Sequence, residues 1–142
     1  MAVYTEVSND DLERLVAEYD IGQVRSIKGI AEGVENSNYL LQTESGTFIL
    51  TIYEKRVKPE ELPFFLGLMD HLAAAGIPCP TPIHGQDGEA LRELSGKPAA
   101  IVSFLDGVWP KGRTPAHCAD LGEAVARMHM AGADFTMRRE NG

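Results

Sequence analysis

Several things are scarce in this sequence, and each scarcity excludes something. There are two cysteines, Cys79 and Cys118, in no metal-ligand spacing, which leaves no disulfide framework and predicts two free thiols. Positive charge is in deficit: 13 Lys and Arg stand against 21 Asp and Glu, a formal net charge of −8. A general nucleic-acid or membrane-surface binder needs a basic field, so neither partner is expected. No apolar run is long enough to span a bilayer, and the N-terminal MAVYTEVSNDD has neither a charged n-region nor an apolar h-region, so a cytoplasmic location is expected. His71, His84 and His117 form no constellation, and His129 lies at the edge of a helical apolar face, where a histidine most often packs or caps. There is no internal repeat and no low-complexity segment. At 142 residues the chain corresponds to one domain with room for a real core.

What is present centres on residues 26–53, SIKGIAEGVENSNYLLQTESGTFILTIY. They read as a strand, a polar loop around Gly33, a strand at Tyr39-Leu40-Leu41, a turn at Glu44-Ser45-Gly46 and a third strand. In Phe48–Tyr53, alternation puts Phe48, Leu50 and Ile52 on one apolar face and Ile49, Thr51 and Tyr53 on a mixed one. The mixed face suits a core with a satisfied threonine, or the wall of a pocket for a flat ring beside phosphates. The loop Glu32-Gly33-Val34-Glu35-Asn36-Ser37-Asn38 is rich in residues that tolerate left-handed backbone, and its N–H groups suit an anion-binding nest. An ordinary hairpin loop needs the same residues, and one glycine is fewer than the three of a Gly-rich loop.

Around this core the pattern predicts further elements. Ser8 caps a first helix with Leu12, Leu15, Val16 and Tyr19 at helical spacing and Gly22 as its stop. Leu62, Phe65, Leu66, Met69, Leu72 and Ala73 define a second helix, with Pro63 in its first turn and Gly76 beyond its end. Ile77–Pro82 is too proline-rich for anything but an extended connector. Turns at Asp87-Gly88 and Ser95-Gly96 bracket a strand at Glu89–Leu94. The continuously apolar Ala99–Leu105 reads as a strand buried on both faces, ending in a polar turn at Asp106-Gly107. Val108–Arg113 is a loop. Thr114 and Pro115 start a last helix with Cys118, Leu121, Val125 and Met128 on one face and Gly132 at its end. The tail ADFTMRRENG reads as polar, with no finished element. The fold class is α+β, with a mostly antiparallel sheet of about five strands.

Four segments, GIAEGVENSNYLLQTESGTFILTIYEKR, LPFFLGLMDHLAAAGIPCPTPI, GKPAAIVSFLDGVWP and HCADLGEAVARMHMAGADF, cover nearly the whole chain. In this order they resemble the N-terminal lobe of a protein-kinase-like fold, in particular the aminoglycoside phosphotransferase and choline kinase group. Within that group they are similar to the homoserine kinases of bacterial threonine biosynthesis. The resemblance implies ATP and Mg²⁺ as cofactors, and L-homoserine phosphorylated to O-phospho-L-homoserine with release of ADP. It implies that Gly33, Val34, Glu35, Asn36, Ser37 and Asn38 lie over the ATP phosphates and that Ile49 touches adenine. Thr51 then stands where such kinases place a phosphate-binding lysine, and Ser103, Phe104, Leu105 and Asp106 form the hinge that reads the adenine edge.

The same resemblance assigns residues 1–106 to a nucleotide-binding lobe with hinge, and 107–142 to the start of a second lobe. Two departures bear on the chemistry. The lysine position is Thr51, a substitution the homoserine kinases share by resemblance, and the helix position of its paired glutamate is Phe65. Losing both together leaves no unpaired buried charge but leaves the phosphates without their usual cation, a part open to Lys55, to Arg56 or to residues absent from this chain. The His-x-Asp…Asn loop and the metal-binding aspartate of the group do not occur in these 142 residues. No catalytic or metal-ligating residue is therefore assigned in the chain. It reads as the front half of a kinase, inactive alone and exposing apolar surface meant for the second lobe. The alternatives are a non-catalytic nucleotide-binding or interaction module of the same shape, or a kinase for another hydroxyl acceptor such as choline or an aminoglycoside.

Overall fold

The alternating residues 36–53 fold into a long hairpin, and the rest of the sheet is built outward from it. The structure is a computed structural model that describes residues 5–55 and 57–140. Its elements are α1 (Asn9–Val16), β1 (Val24–Gly29), β2 (Asn36–Thr43), β3 (Gly46–Tyr53), α2 (Leu62–Ala74, entered through a 3₁₀ turn at Pro59–Glu61), β4 (Arg92–Leu94), β5 (Lys97–Ser103) and α3 (Pro115–Gly132). The five strands lie in the order β1-β2-β3-β5-β4, and every neighbouring pair is antiparallel. This is the expected α+β architecture. No helix among the described residues is long and apolar enough to cross a membrane.

Boundaries differ from the sequence reading where a local contact competes with the ladder. α1 stops at Val16, well before Gly22, but Tyr19 stays buried in the following turn. β4 is shorter than Glu89–Leu94 because Glu89 is held in a turn: its N–H donates to Asp87 Oδ1 (3.0 Å) and its carbonyl accepts from Gly85 N (2.9 Å). β4 and β5 are joined by Ser95 and Gly96, both with positive φ (53° and 72°), the geometry of a type I′ turn. β5 ends at Ser103, leaving Phe104 and Leu105 outside the ladder and exposed. Pro82 bridges Val102 at the edge of the sheet, flanked by Ile83 N–H to Ile101 O (2.8 Å) and Ser103 N–H to Thr81 O (2.9 Å). Proline is tolerated there because its missing N–H is not needed by the ladder.

The main core lies between α1 and one face of the sheet. Leu12, Leu15, Val16 and Tyr19 pack against Tyr39, Leu41, Leu50, Ile52, Ala99 and Ile101, with Phe48 partly buried beside them. Leu41, Leu50, Ile52 and Ile101 are fully buried, and each contributes about 1.5–3 kcal/mol relative to exposure. A smaller cluster on the opposite face joins α2 to the sheet through Leu66, Ala90 and Ala100, with Tyr53, Met69 and Leu91 packed against it.

The core face ends in a polar knot. Glu54, just beyond β3, accepts hydrogen bonds from Thr5 Oγ1 (2.7 Å) and Ser37 Oγ (2.7 Å) and pairs with Lys97 Nζ. Lys97 Nζ also donates to Thr5 Oγ1 (2.6 Å), and the Tyr39 hydroxyl donates to the Thr5 carbonyl. The knot ties the segment before α1 to three strands.

The tail reads as unfinished in the sequence, but it is docked. Phe135 packs edge-on to Phe64 (5.5 Å between centroids) and lies 5.3 Å from the His71 ring. His71 Nε2 lies 2.8 Å from both the Ala131 carbonyl and Asp134 Oδ1. Arg139 pairs with Glu61 (3.1 Å) and sits over the Phe65 ring at 5.1 Å. Met137 closes on Gly67, where a Cβ would lie 3.0 Å from its sulfur.

Two outcomes test these contacts. Burial alone would raise the Glu54 pKa, but the hydrogen bonds from Lys97, Thr5 and Ser37 and the Lys97 charge outweigh it and hold it below 4.5. A lowered folded-state pKa gives stability that is present above the unfolded value and is lost as pH falls through the folded one. Glu54→Gln is therefore expected to cost about 1–3 kcal/mol in urea unfolding at pH 7. The difference from the parent should shrink below pH 4.5. An equal difference at both pH values would contradict the ionised knot. Phe135→Ala should release the tail, making residues 133–140 readily cleaved in limited proteolysis while the sheet's circular dichroism is unchanged. Resistance equal to the parent would contradict the docking.

Candidate functional site

With α1 covering the Phe48-Leu50-Ile52 face, antiparallel register decides what the other face presents. Lys28, Leu40, Ile49 and Val102 stand opposite one another across β1, β2, β3 and β5. Two residues along the strands, about 7 Å away, Asn38, Thr51 and Ala100 form a second row. Asn36 and Tyr53 follow, where α2 packs on the sheet. Burial pushes the Tyr53 phenol above its ordinary pKa, so it is neutral at physiological pH. The face thus runs from an apolar row, through a neutral polar row, to the α2 contact.

The two ends of this strip are formed by irregular backbone. At one end β5 runs out through Ser103, Phe104, Leu105 and Asp106, the last three exposed and without regular structure. Ser103 is engaged at the edge: its N–H donates to Thr81 O (2.9 Å), and its Oγ accepts from Thr81 N (2.9 Å). At the other end the loop between β1 and β2 closes with Ile30 N–H donating to Asn38 O (2.9 Å). Gly33 has φ of 110° and lies so that a Cβ would be 3.7 Å from Asn38 Nδ2. That contact is an ordinary one, so the backbone conformation, not crowding, favours glycine there. The loop tip therefore sits against the second row.

The expected site residues divide by this geometry. Gly33, Val34 and Glu35 are exposed in the loop, which ends at Glu35 because β2 begins at Asn36. Asn36 and Asn38 are strand residues on the open face: Asn36 Oδ1 accepts from Glu54 N (3.4 Å), and Asn38 Oδ1 accepts from Thr51 Oγ1 (2.9 Å). Ser37 lies between them, so its side chain falls on the opposite face, fully buried and bound to Thr5 and Glu54. Ile49 and Thr51 share the open face, in adjacent rows. Phe65 on α2 is packed against Phe64 and under Arg139. β3 stops at Tyr53, so Lys55 sits in an exposed turn and does not extend the Thr51 face. Arg56 lies outside the described residues.

Leu40 and Val102, the neighbours of Ile49 in its row, escaped the sequence reading. A signal existed: Leu40 alternates with the core residues Tyr39 and Leu41, but only the register says that it meets Ile49. Among the described residues, no group of three or more His, Cys, Asp or Glu is placed to hold a metal ion.

Known proteins agree with this architecture. The chain is 72% identical over 141 residues to a homoserine kinase of Paramagnetospirillum magneticum, covering 99% of this chain and 43% of that protein. It is 62% identical to a homoserine kinase of Rhodospirillum rubrum, covering 99% of this chain and 44% of that one. The chain thus spans less than half the length of these curated relatives. Among solved structures, a spectinomycin phosphotransferase in complex with ADP and spectinomycin superposes with a TM-score of 0.69 at 16% identity, covering 89% of this chain and 39% of that one. A microcompartment-associated aminopropanol kinase superposes with a TM-score of 0.67 at 18% identity, covering 92% of this chain and 42% of that one. At such identities the structural likeness speaks for the fold, a kinase-like phosphotransferase lobe. Residues 26–141 match the phosphotransferase enzyme family, and the chain belongs to that family.

Proposed function

We propose that residues 1–106 form the nucleotide-binding lobe and hinge, and residues 107–142 the start of the second lobe, of an ATP-dependent homoserine kinase. The reaction transfers the terminal phosphoryl group of ATP to the side-chain hydroxyl of L-homoserine, giving O-phospho-L-homoserine and ADP. The observation that carries the nucleotide part is the two-row strip. Its apolar row of Leu40, Ile49 and Val102 adjoins Ser103–Asp106, and its polar row of Asn38 and Thr51 lies under the Gly33 loop. An adenine ring suits the first row, with its polar edge toward the backbone of Ser103–Asp106. The phosphates then fall about 7 Å further on, beneath the backbone of Gly33, Val34 and Glu35. The homoserine assignment is supported by the 72% identity to a homoserine kinase.

This lobe's part in the reaction is binding and orientation. Phosphoryl transfer also needs Mg²⁺ and a carboxylate that positions the acceptor hydroxyl. The described residues offer no cluster suited to the metal, so both are assigned to the part of the relatives' length that this chain does not span. The substrates are ATP and a free amino acid, and the cytoplasm is the compartment proposed. The exposed stripe of Leu121, Val125 and Met128 on α3, facing Ile77 and Pro78 across a groove, is assigned to contact with the remainder of the second lobe.

The test is ADP release by the full-length natural protein, with L-homoserine, choline and an aminoglycoside as acceptors. Release dependent on L-homoserine is expected, and Ile49→Ala should raise the KM for ATP about three- to tenfold with the KM for L-homoserine unchanged. ADP release indifferent to L-homoserine would overturn the acceptor assignment. A separate outcome concerns the groove: residues 1–142 alone should self-associate in sedimentation and bind an apolar dye. A clean monomer without dye binding would contradict the second-lobe contact.

A further inference from the structure

The second row poses a chemical question. Nucleotide phosphates concentrate negative charge, yet this row, Asn38, Thr51 and Ala100, carries no cation, and the chain's formal charge is −8. Among the described residues the nearest register neighbours offer no substitute: Lys28 stands in the apolar row, and Lys55 is in the turn beyond β3.

One polar device remains in the row, and its parts are directed. Asn38 and Thr51 are direct register partners, and the Thr51 hydroxyl donates to Asn38 Oδ1 at 2.9 Å. A carboxamide has one accepting oxygen and an NH₂ with two donors. With Oδ1 accepting from Thr51, Nδ2 is turned the other way. It points toward the loop, 3.7 Å from where a Cβ on Gly33 would lie. Among the described residues no acceptor is bonded to Nδ2. Two N–H donors are thus presented beneath the backbone that closes over the strip.

We propose that the Asn38 carboxamide is the side-chain phosphate donor of this site, and that Thr51 is its positioning residue. A neutral Asn–Thr pair then does by directed hydrogen bonding what a cation does by charge. This deepens the nucleotide reading above and rests on it. The chemistry follows from the row. An uncharged donor needs no buried counter-charge, which agrees with an aromatic Phe65 on α2. An N–H to an anionic oxygen is among the stronger hydrogen bonds, so a single well-aimed donor matters.

The experiment uses the full-length natural protein and calorimetric titration with ATP and, separately, adenosine, which lacks phosphates. Asn38→Asp should weaken ATP at least about tenfold and leave adenosine unchanged, because a carboxylate faces the phosphates and not the base. Thr51→Val should weaken ATP about threefold or more, again sparing adenosine, and Thr51→Ser should restore parent affinity. In an Asn38→Ala background, Thr51→Val should add no further loss, since Thr51 acts through Asn38. Equal losses for ATP and adenosine would assign the pair a structural role and overturn the proposal. Parent-like ATP affinity in Asn38→Asp would overturn it as well, while leaving the nucleotide reading intact. A parent protein that binds neither ATP nor adenosine would overturn both.

Discussion

The antiparallel pairing of β2 with β3 is the constraint on which the rest depends. Its register runs without a break from Asn36 opposite Tyr53 to Thr43 opposite Gly46. Side chains alternate across a sheet, so a slip of one residue would turn the slipped strand over. If β2 slipped on β3, Tyr39 and Leu41 would leave the α1 core and Leu40 would be drawn into it, and Asn38 would no longer share a face with Thr51. The core and the candidate site are therefore specified by one decision, and burial of the core residues holds the site residues in place. Thr43 reinforces the end of the register: its hydroxyl donates to the Ile21 carbonyl and accepts from Ser45 N.

The distribution of charge follows the same logic. The ionic groups of the lobe are spent at its margins. Glu54 and Lys97 tie down the N-terminal segment, Arg92 joins Asp87 and Glu18 beside Tyr19, and Arg139 joins Glu61 on α2. Between these the open face carries amides, hydroxyls and apolar groups in its two central strands. A face of that kind does not repel a polyanion through fixed carboxylates. It also avoids the penalty of holding an unpaired cation when no ligand is bound.

Most of the fold was legible because its signals are local. The period-two run at Phe48–Tyr53, the Ser8 and Thr114 caps and the turn pairs at Glu44-Ser45 and Ser95-Gly96 are readable within a few residues. Features that depend on register or tertiary contact were not. Asn and Ser favour turns, so the sequence reads as loop through Asn38, but pairing with β3 draws Asn36–Asn38 into β2. The same pairing turns Ser37 away from its neighbours, toward Glu54. Leu40 and Val102 look like generic strand residues until the ladder sets them beside Ile49. The tail reads as polar, although Phe135, Met137 and Arg139 recur at every second position, a pattern that has meaning only once α2 is there to receive it.

The docked tail also fixes a mechanical property. α3 is joined to the sheet by the peptide running from Phe104 to Thr114, and its far end is joined to α2 by His71, Phe135 and Arg139. Because α2 itself packs on the sheet through Leu66 and Met69, both ends of α3 are referred to one body, and the exposed peptide between Phe104 and Thr114 does not by itself decide where the helix lies.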